Sequence, residues 1–284
     1  MSSDFSEFNI SDFYTDLEEI SKQIERHFEI LGSLADNRKQ HRDFAEQINI
    51  NFNTLDIAYK LYKPSIIISI YTFVEKLLKS YIYCTLGTEN NEAITQFINL
   101  KIPKNRFAPN LRLDDISQSI REYTPNSNDF RLLIKMLKDE ESEKNFNEMV
   151  SHRHRYAHRG VFEAEYDEDG FKNIINTLYY LTDELNFCFF SIQKRIELQK
   201  EIDTIYKRMA KVKKMNKHGF NKTIKEIRGI AKKVICLFKI TKLEFKSEFY
   251  ANIGKDLEVL TSIDLREKVS KNKDTLSGLK MFKY

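Results

Sequence analysis

Glycine and proline are scarce in this chain, eight and four in 284 residues, and a many-stranded sheet or barrel would need more of both to make its turns. That scarcity points to helices. Cysteine is rarer still. Cys84, Cys188 and Cys236 lie far apart, each in an apolar stretch, so they read as buried thiols and imply a cytoplasmic setting. Long apolar runs are missing as well. The longest, Ile66 to Val74, is interrupted by Ser69 and Thr72 and ends at Glu75, well short of the roughly 20 residues that span a bilayer. The segment Met1 to Glu7 is acidic, with no basic stretch before an apolar run, so no signal peptide is expected. No GxxxxGK[ST] or GxGxxG loop is present to cradle a nucleotide, and no GxSxG elbow to carry a serine nucleophile.

What the chain does have is charge and apolar residues in helical rhythm. Hydrophobic residues make up 41% of it, enough for one large domain or one domain with a substantial appendage. The net charge of +4 is unevenly placed: residues 201–250 carry 14 Lys/Arg against 5 Asp/Glu, leaving about −5 elsewhere. Such a basic end either attracts phosphate-rich partners or is simply a solvated helix face.

Phe13, Leu17, Ile20, Ile24, Phe28 and Leu31 recur at intervals of three and four between Ser11 and Leu34, with Ser11 or Asp12 as a cap. A second helix is expected over Phe44, Ile48, Phe52, Leu55, Tyr59 and Tyr62, up to Pro64. From Pro64 to Gly87 the sequence is apolar nearly all round, as in a central helix covered on several sides, which makes Glu75 conspicuous. Residues 90–140 read as short helices and loops carrying no chemistry. A long helix is expected from Phe171 through Ile196 and beyond Lys200. In it, Phe187 to Phe190 reads as core rather than as a base-stacking platform. The fold class is therefore all-α, with one helical domain over residues 10–210 and a basic, mainly helical C-terminal region over 211–284. The part beyond Thr241 is open between helix and strand.

Chemistry concentrates in Ser151-His152-Arg153-His154-Arg155-Tyr156-Ala157-His158-Arg159-Gly160, which holds half of the six histidines. Arg153 and His158 supply what metal-free RNA cleavage requires: a permanent cation for the scissile phosphate, and an imidazole that exchanges protons near neutral pH. His154 and His158 also have the i, i+4 spacing of a metal-binding helix. There is, however, no HExxH glutamate and no nearby cysteine, and Arg153, Arg155 and Arg159 would repel a dication. No metal or cofactor is expected.

The stretch from Phe146 through the Arg153-x4-His158 pair and into the long helix resembles the HEPN superfamily, whose R-x4–6-H signature lies in a helical bundle. The segment Ile70-Tyr71-Thr72-Phe73-Val74-Glu75-Lys76-Leu77-Leu78 is similar to the earlier helix of that family, which presents an acidic residue toward the motif. The resemblance spans about residues 10–200 and is strongest at 65–85 and 145–185. It implies an up-down bundle, a site completed by homodimerisation, and an endoribonuclease that leaves 2′,3′-cyclic phosphate ends. A toxin–antitoxin or anti-phage setting, with an antitoxin or defence-system partner, is implied too. By the same resemblance Arg153 binds the phosphate, His158 is the general acid/base, His154 positions the phosphate, and Glu75 orients Arg153 or His158. Arg155, Arg159 and Tyr156 contact the substrate. Glu75 reads equally well as an ordinary salt-bridge partner.

Two alternatives stay open. Positions five apart on an ideal helix point about 140° apart, so Arg153 and His158 share a site only if the helix bends or ends between them. In a regular helix Arg155, three residues from His158, takes the phosphate role. The chain also reads as a non-catalytic HEPN module that binds RNA or a protein through its basic end.

Overall fold

The computed structural model describes residues 8–87, 96, 100, 108–136, 140–160, 166–209, 222, 225 and 226. Every regular element among them is a helix, and none is long and apolar enough to cross a membrane. The fold is all-α. Cys236 and the ambiguous stretch beyond Thr241 lie outside the described residues, as does nearly all of the basic region 211–284.

The chain separates into two compact units, Met1–Tyr123 with Glu141–Thr182, and Thr124–Glu140 with Asp183–Tyr284. In the first, α1 (Ile10–Asp36) buries Phe13, Leu17, Ile20, Ile24, His27 and Leu34, a stripe spaced by threes and fours. The expected stripe passed through Phe28 and Leu31; the structure puts His27 in it instead and leaves those two only half-buried. The cap also differs. Asn9 accepts the Ser11 amide at 3.2 Å, in place of Ser11 or Asp12.

The second helix expected from the sequence is broken in two, α2 (Arg38–Gln47) and α3 (Phe52–Lys60). Asn49 adopts a φ of 60° between them, a left-handed conformation that Asn tolerates better than most residues. The short segment after it is tied back by the Ile50 amide, which donates to the Ala45 carbonyl at 2.8 Å. Neither helix buries the stripe the pattern suggested: Phe44, Ile48 and Ile57 are exposed, and α3 has no buried residue.

Helix α4 (Tyr62–Gly87) is the centre of the first unit. It carries Pro64 in its first turn, where a missing amide costs nothing, and buries residues from Ile66 to Tyr83 on most of its circumference. Helices α1, α3 and α5 (Leu113–Tyr123) pack against it. Burying each large side chain, such as Ile70 or Leu77, stabilises the unit by about 1.5–3 kcal/mol. Cys84 is only half-buried, so one of the three expected buried thiols is a partly accessible one.

Helix α7 (Glu140–Arg159) is regular through the whole motif segment. It ends where Gly160 turns left-handed at φ +66° and donates its amide to the Tyr156 carbonyl at 2.9 Å. The last helix, α8 (Glu168–Met209), continues past Lys200 as expected and has a non-helical residue, Ser191, inside it. Its first part belongs to the first unit, where Tyr179 stacks on Tyr14 and Phe171 meets Phe28 edge-on.

In the second unit α6 (Leu133–Met136) and the loop before it are tied to the later part of α8. Buried Arg195 donates through Nε to Glu184 at 2.8 Å and through Nη2 to the Arg131 carbonyl at 2.9 Å. Glu184 in turn accepts the Leu133 amide at 2.9 Å, and Gln199 accepts the Arg131 amide at 2.9 Å. Within the aromatic cluster, Cys188 is buried while Phe190 is 74% exposed, so only part of it serves as core.

Candidate functional site

Helix α7 is positioned by an apolar stripe. Phe146, Met149 and Val150 are buried, and the next position on that meridian, seven residues after Phe146, is Arg153. A core-facing position near the end of a helix thus carries a cation. Its guanidinium carbon lies 4.0 Å from the ring centroid of Tyr71, a buried residue of α4. The π face holds the cation, and a guanidinium stacked on a ring still presents N–H donors at its edge.

The neighbouring meridian carries Asn147, Ser151, His154 and His158, spaced four, three and four apart. His154 meets the Tyr71 ring edge-on at 6.0 Å and stacks with His158 at 6.3 Å between ring centroids. Arg153, His154 and His158 are therefore linked through Tyr71 and His154, with no bend in the helix. No hydrogen bond joins Arg153 to His158 among the described residues, as the 140° argument anticipates. At the other end of the meridian, the Asn147 side chain accepts the Leu113 amide at 3.1 Å. That bond holds the backbone next to Arg112, just before α5, at this end of the meridian.

The field here is positive. His154 is held below the ordinary imidazole value, first by the desolvation its ring suffers against its neighbours, then by the charges of Arg153, His158 and Arg112. No carboxylate forms an ion pair with Arg153 or Arg112 among the described residues. Burial holds the Tyr71 hydroxyl above its ordinary value; Arg153 opposes this and Glu75 adds to it.

The remaining expected residues are placed elsewhere. Glu75, half-buried, accepts Lys79 at 2.5 Å on its own helix and bonds to neither Arg153 nor His158 among the described residues, which is the ordinary salt-bridge arrangement. Arg155 lies at His152, with Nη2 at 3.1 Å from Nδ1. His152 packs edge-on against Tyr166 at 5.8 Å, so the three histidines do not converge, and no group of metal-ligating side chains gathers among the described residues. Tyr156 is half-buried, and Arg159 is exposed in the last turn, where it suits the helix dipole.

Comparisons with family models, with curated proteins and with solved structures find no match.

Two residues of the cluster were not anticipated. Tyr71 lies inside the Ile70 to Leu78 stretch already singled out and sits one turn before Glu75, so its place could have been read from the helical period. Arg112 offers no sequence signal, because it is the bond from the Leu113 amide to Asn147 that ties its part of the chain to α7. An anion is the species that this arrangement accommodates best: a guanidinium and imidazoles gathered around Tyr71 at the end of α7 can neutralise phosphate oxygens and move protons.

Proposed function

We propose that this chain is a metal-independent endoribonuclease of the HEPN type, a cytoplasmic protein acting as a homodimer on RNA in a toxin–antitoxin or anti-phage setting. The observation that carries the proposal is the grouping of Arg153, His154 and His158 on one exposed end of α7, with Tyr71 beneath them. An all-helical architecture with a central apolar helix beside the motif helix supports the HEPN-like bundle. The exposed apolar residues Phe44, Ile48, Ile57 and Leu61 support self-association.

In this reading Arg153 holds the scissile phosphate and stabilises charge on its oxygens in the transition state. His154, kept neutral by its surroundings, positions the phosphate and can take the proton of the attacking 2′-hydroxyl. The new P–O2′ bond forms as the P–O5′ bond breaks, and protonated His158 gives its proton to the leaving 5′-oxygen. The products are a 2′,3′-cyclic phosphate and a 5′-hydroxyl. Arg155, Arg159 and Tyr156 would contact flanking parts of the strand.

Purified wild type should cleave total RNA or tRNA in EDTA and leave cyclic phosphate ends, and folded Arg153→Ala and His158→Ala variants should not. Equal cleavage by all three, or none by any, ends the nuclease reading. The separation of Arg153 from His158 around the helix favours a second reading, a non-catalytic HEPN module that binds RNA with the same residues. It predicts retained RNA affinity without cleavage.

A further inference from the structure

We propose that Arg112 is a second phosphate-holding residue, so that the α7 face grips single-stranded RNA at the phosphate next to the one held by Arg153. The inference rests on an RNA-binding role for this face, and it holds whether or not the strand is cut.

Three observations lead to it. The Asn147 side chain is hydrogen-bonded at 3.1 Å to the amide of Leu113, so the backbone beside Arg112 is fixed at one end of the Asn147, Ser151, His154, His158 meridian. Asn147 and His154 are seven residues apart, about 10 Å along the axis and nearly in line. The backbone at Arg112 thus lies toward one end of the meridian, while Arg153 is held over Tyr71, which His154 also meets. Second, Arg112 is exposed and has no ion pair among the described residues. Third, its charge adds to those of Arg153 and His158 in holding His154, already desolvated, below the ordinary imidazole value, so the cations act on one neighbourhood. A single phosphate can neutralise only part of such a strip. A phosphodiester strand laid along it meets a cation at successive phosphates, as electrostatic tracks for single strands require.

The test uses the full chain and a short fluorescein-labelled single-stranded RNA, with affinity followed by anisotropy across a salt series. Arg112→Gln should weaken binding and make the slope of log K against log salt shallower by about 0.7, the contribution of one phosphate contact on a single strand. Arg112→Lys should restore most of the slope, since it restores the charge. Thermal unfolding of all three should coincide. An unchanged slope in Arg112→Gln overturns the inference, and so does failure of Arg112→Lys to restore it, because the residue would then be acting through structure.

Cleavage separates the two phosphates. On a ribodinucleoside monophosphate, which has only the scissile phosphate, Arg112→Gln should lose clearly less in kcat/KM than on a trinucleoside diphosphate. Equal losses on both place Arg112 on the scissile phosphate and overturn the assignment. If RNA is bound with the expected change of slope but never cut in EDTA, the nuclease proposal fails and this inference stands. Cleavage with no change of slope leaves the opposite result, and a wild type that does not bind RNA ends both.

Discussion

Tyr71→Leu should lower kcat/KM on an RNA oligomer, and affinity for a non-cleavable one, by about 5- to 30-fold without abolishing either. The ring supports Arg153 from 4.0 Å in a partly desolvated setting, with Tyr71 only 7% exposed. Cation–π contacts of this kind are worth about 1 kcal/mol near a surface and about 2 kcal/mol when desolvated. If the guanidinium must be held in place to meet the phosphate, that energy reappears as lost binding and transition-state stabilisation, at about tenfold per 1.4 kcal/mol. Tyr71→Phe keeps the π face and loses only the hydroxyl, so it should stay within about twofold of wild type if the cation–π contact is what matters. The assay is initial-rate cleavage with anisotropy binding in parallel, each variant first checked by circular dichroism. Full activity in Tyr71→Leu, or an equal fall in Tyr71→Phe, would refute the reasoning: the ring would be mere core in the first case, and the hydroxyl the working group in the second.

Two further predictions concern stability in the second unit. Burial pushes the Asp183 carboxyl up from 3.8 to about 8, so the folded state holds a proton that the unfolded chain releases; stability is then lost as pH rises from the ordinary carboxylate range through about 8. Asp183→Asn should remove that loss, and its advantage in Tm over wild type should grow from pH 5 to pH 9; parallel curves for the two proteins would contradict the shift. Arg195→Met should cost about 3–5 kcal/mol in urea unfolding, because it leaves the Glu184 carboxylate buried without its cation, and a loss below about 1 kcal/mol would show that the pair is dispensable.

The helical period was legible wherever one face of a helix is buried against a neighbour. Helices α1, α4 and α8 run close to where their spacing places them, since burial of a continuous stripe dominates their stability. The period misled at α2 and α3. Apolar residues there recur correctly, yet nothing in the described structure covers Phe44 or Ile57, and Asn49 breaks the run. Sequence spacing reports which residues share a face, not whether a partner lies against it.

The same division holds at the site. Arg153, His154 and His158 were readable as residue types in a pattern whose chemistry suits a phosphate. Their directions around the axis also followed from 3.6 residues per turn, which foretold that Arg153 and His158 would not touch. Spacing could not tell which neighbour each arginine meets: the buried ring of Tyr71 on α4 lies against Arg153, while Arg155 lies at His152. Glu75 pairs with Lys79 for a comparable reason: a cation one turn away on the same helix is closer than one across a packing interface. By itself, the sequence determined the helical class and the chemistry available, because both depend on local period and residue type. The company each side chain keeps, Arg153 on the Tyr71 ring above all, was decided only by tertiary packing, which joins residues that no local spacing relates.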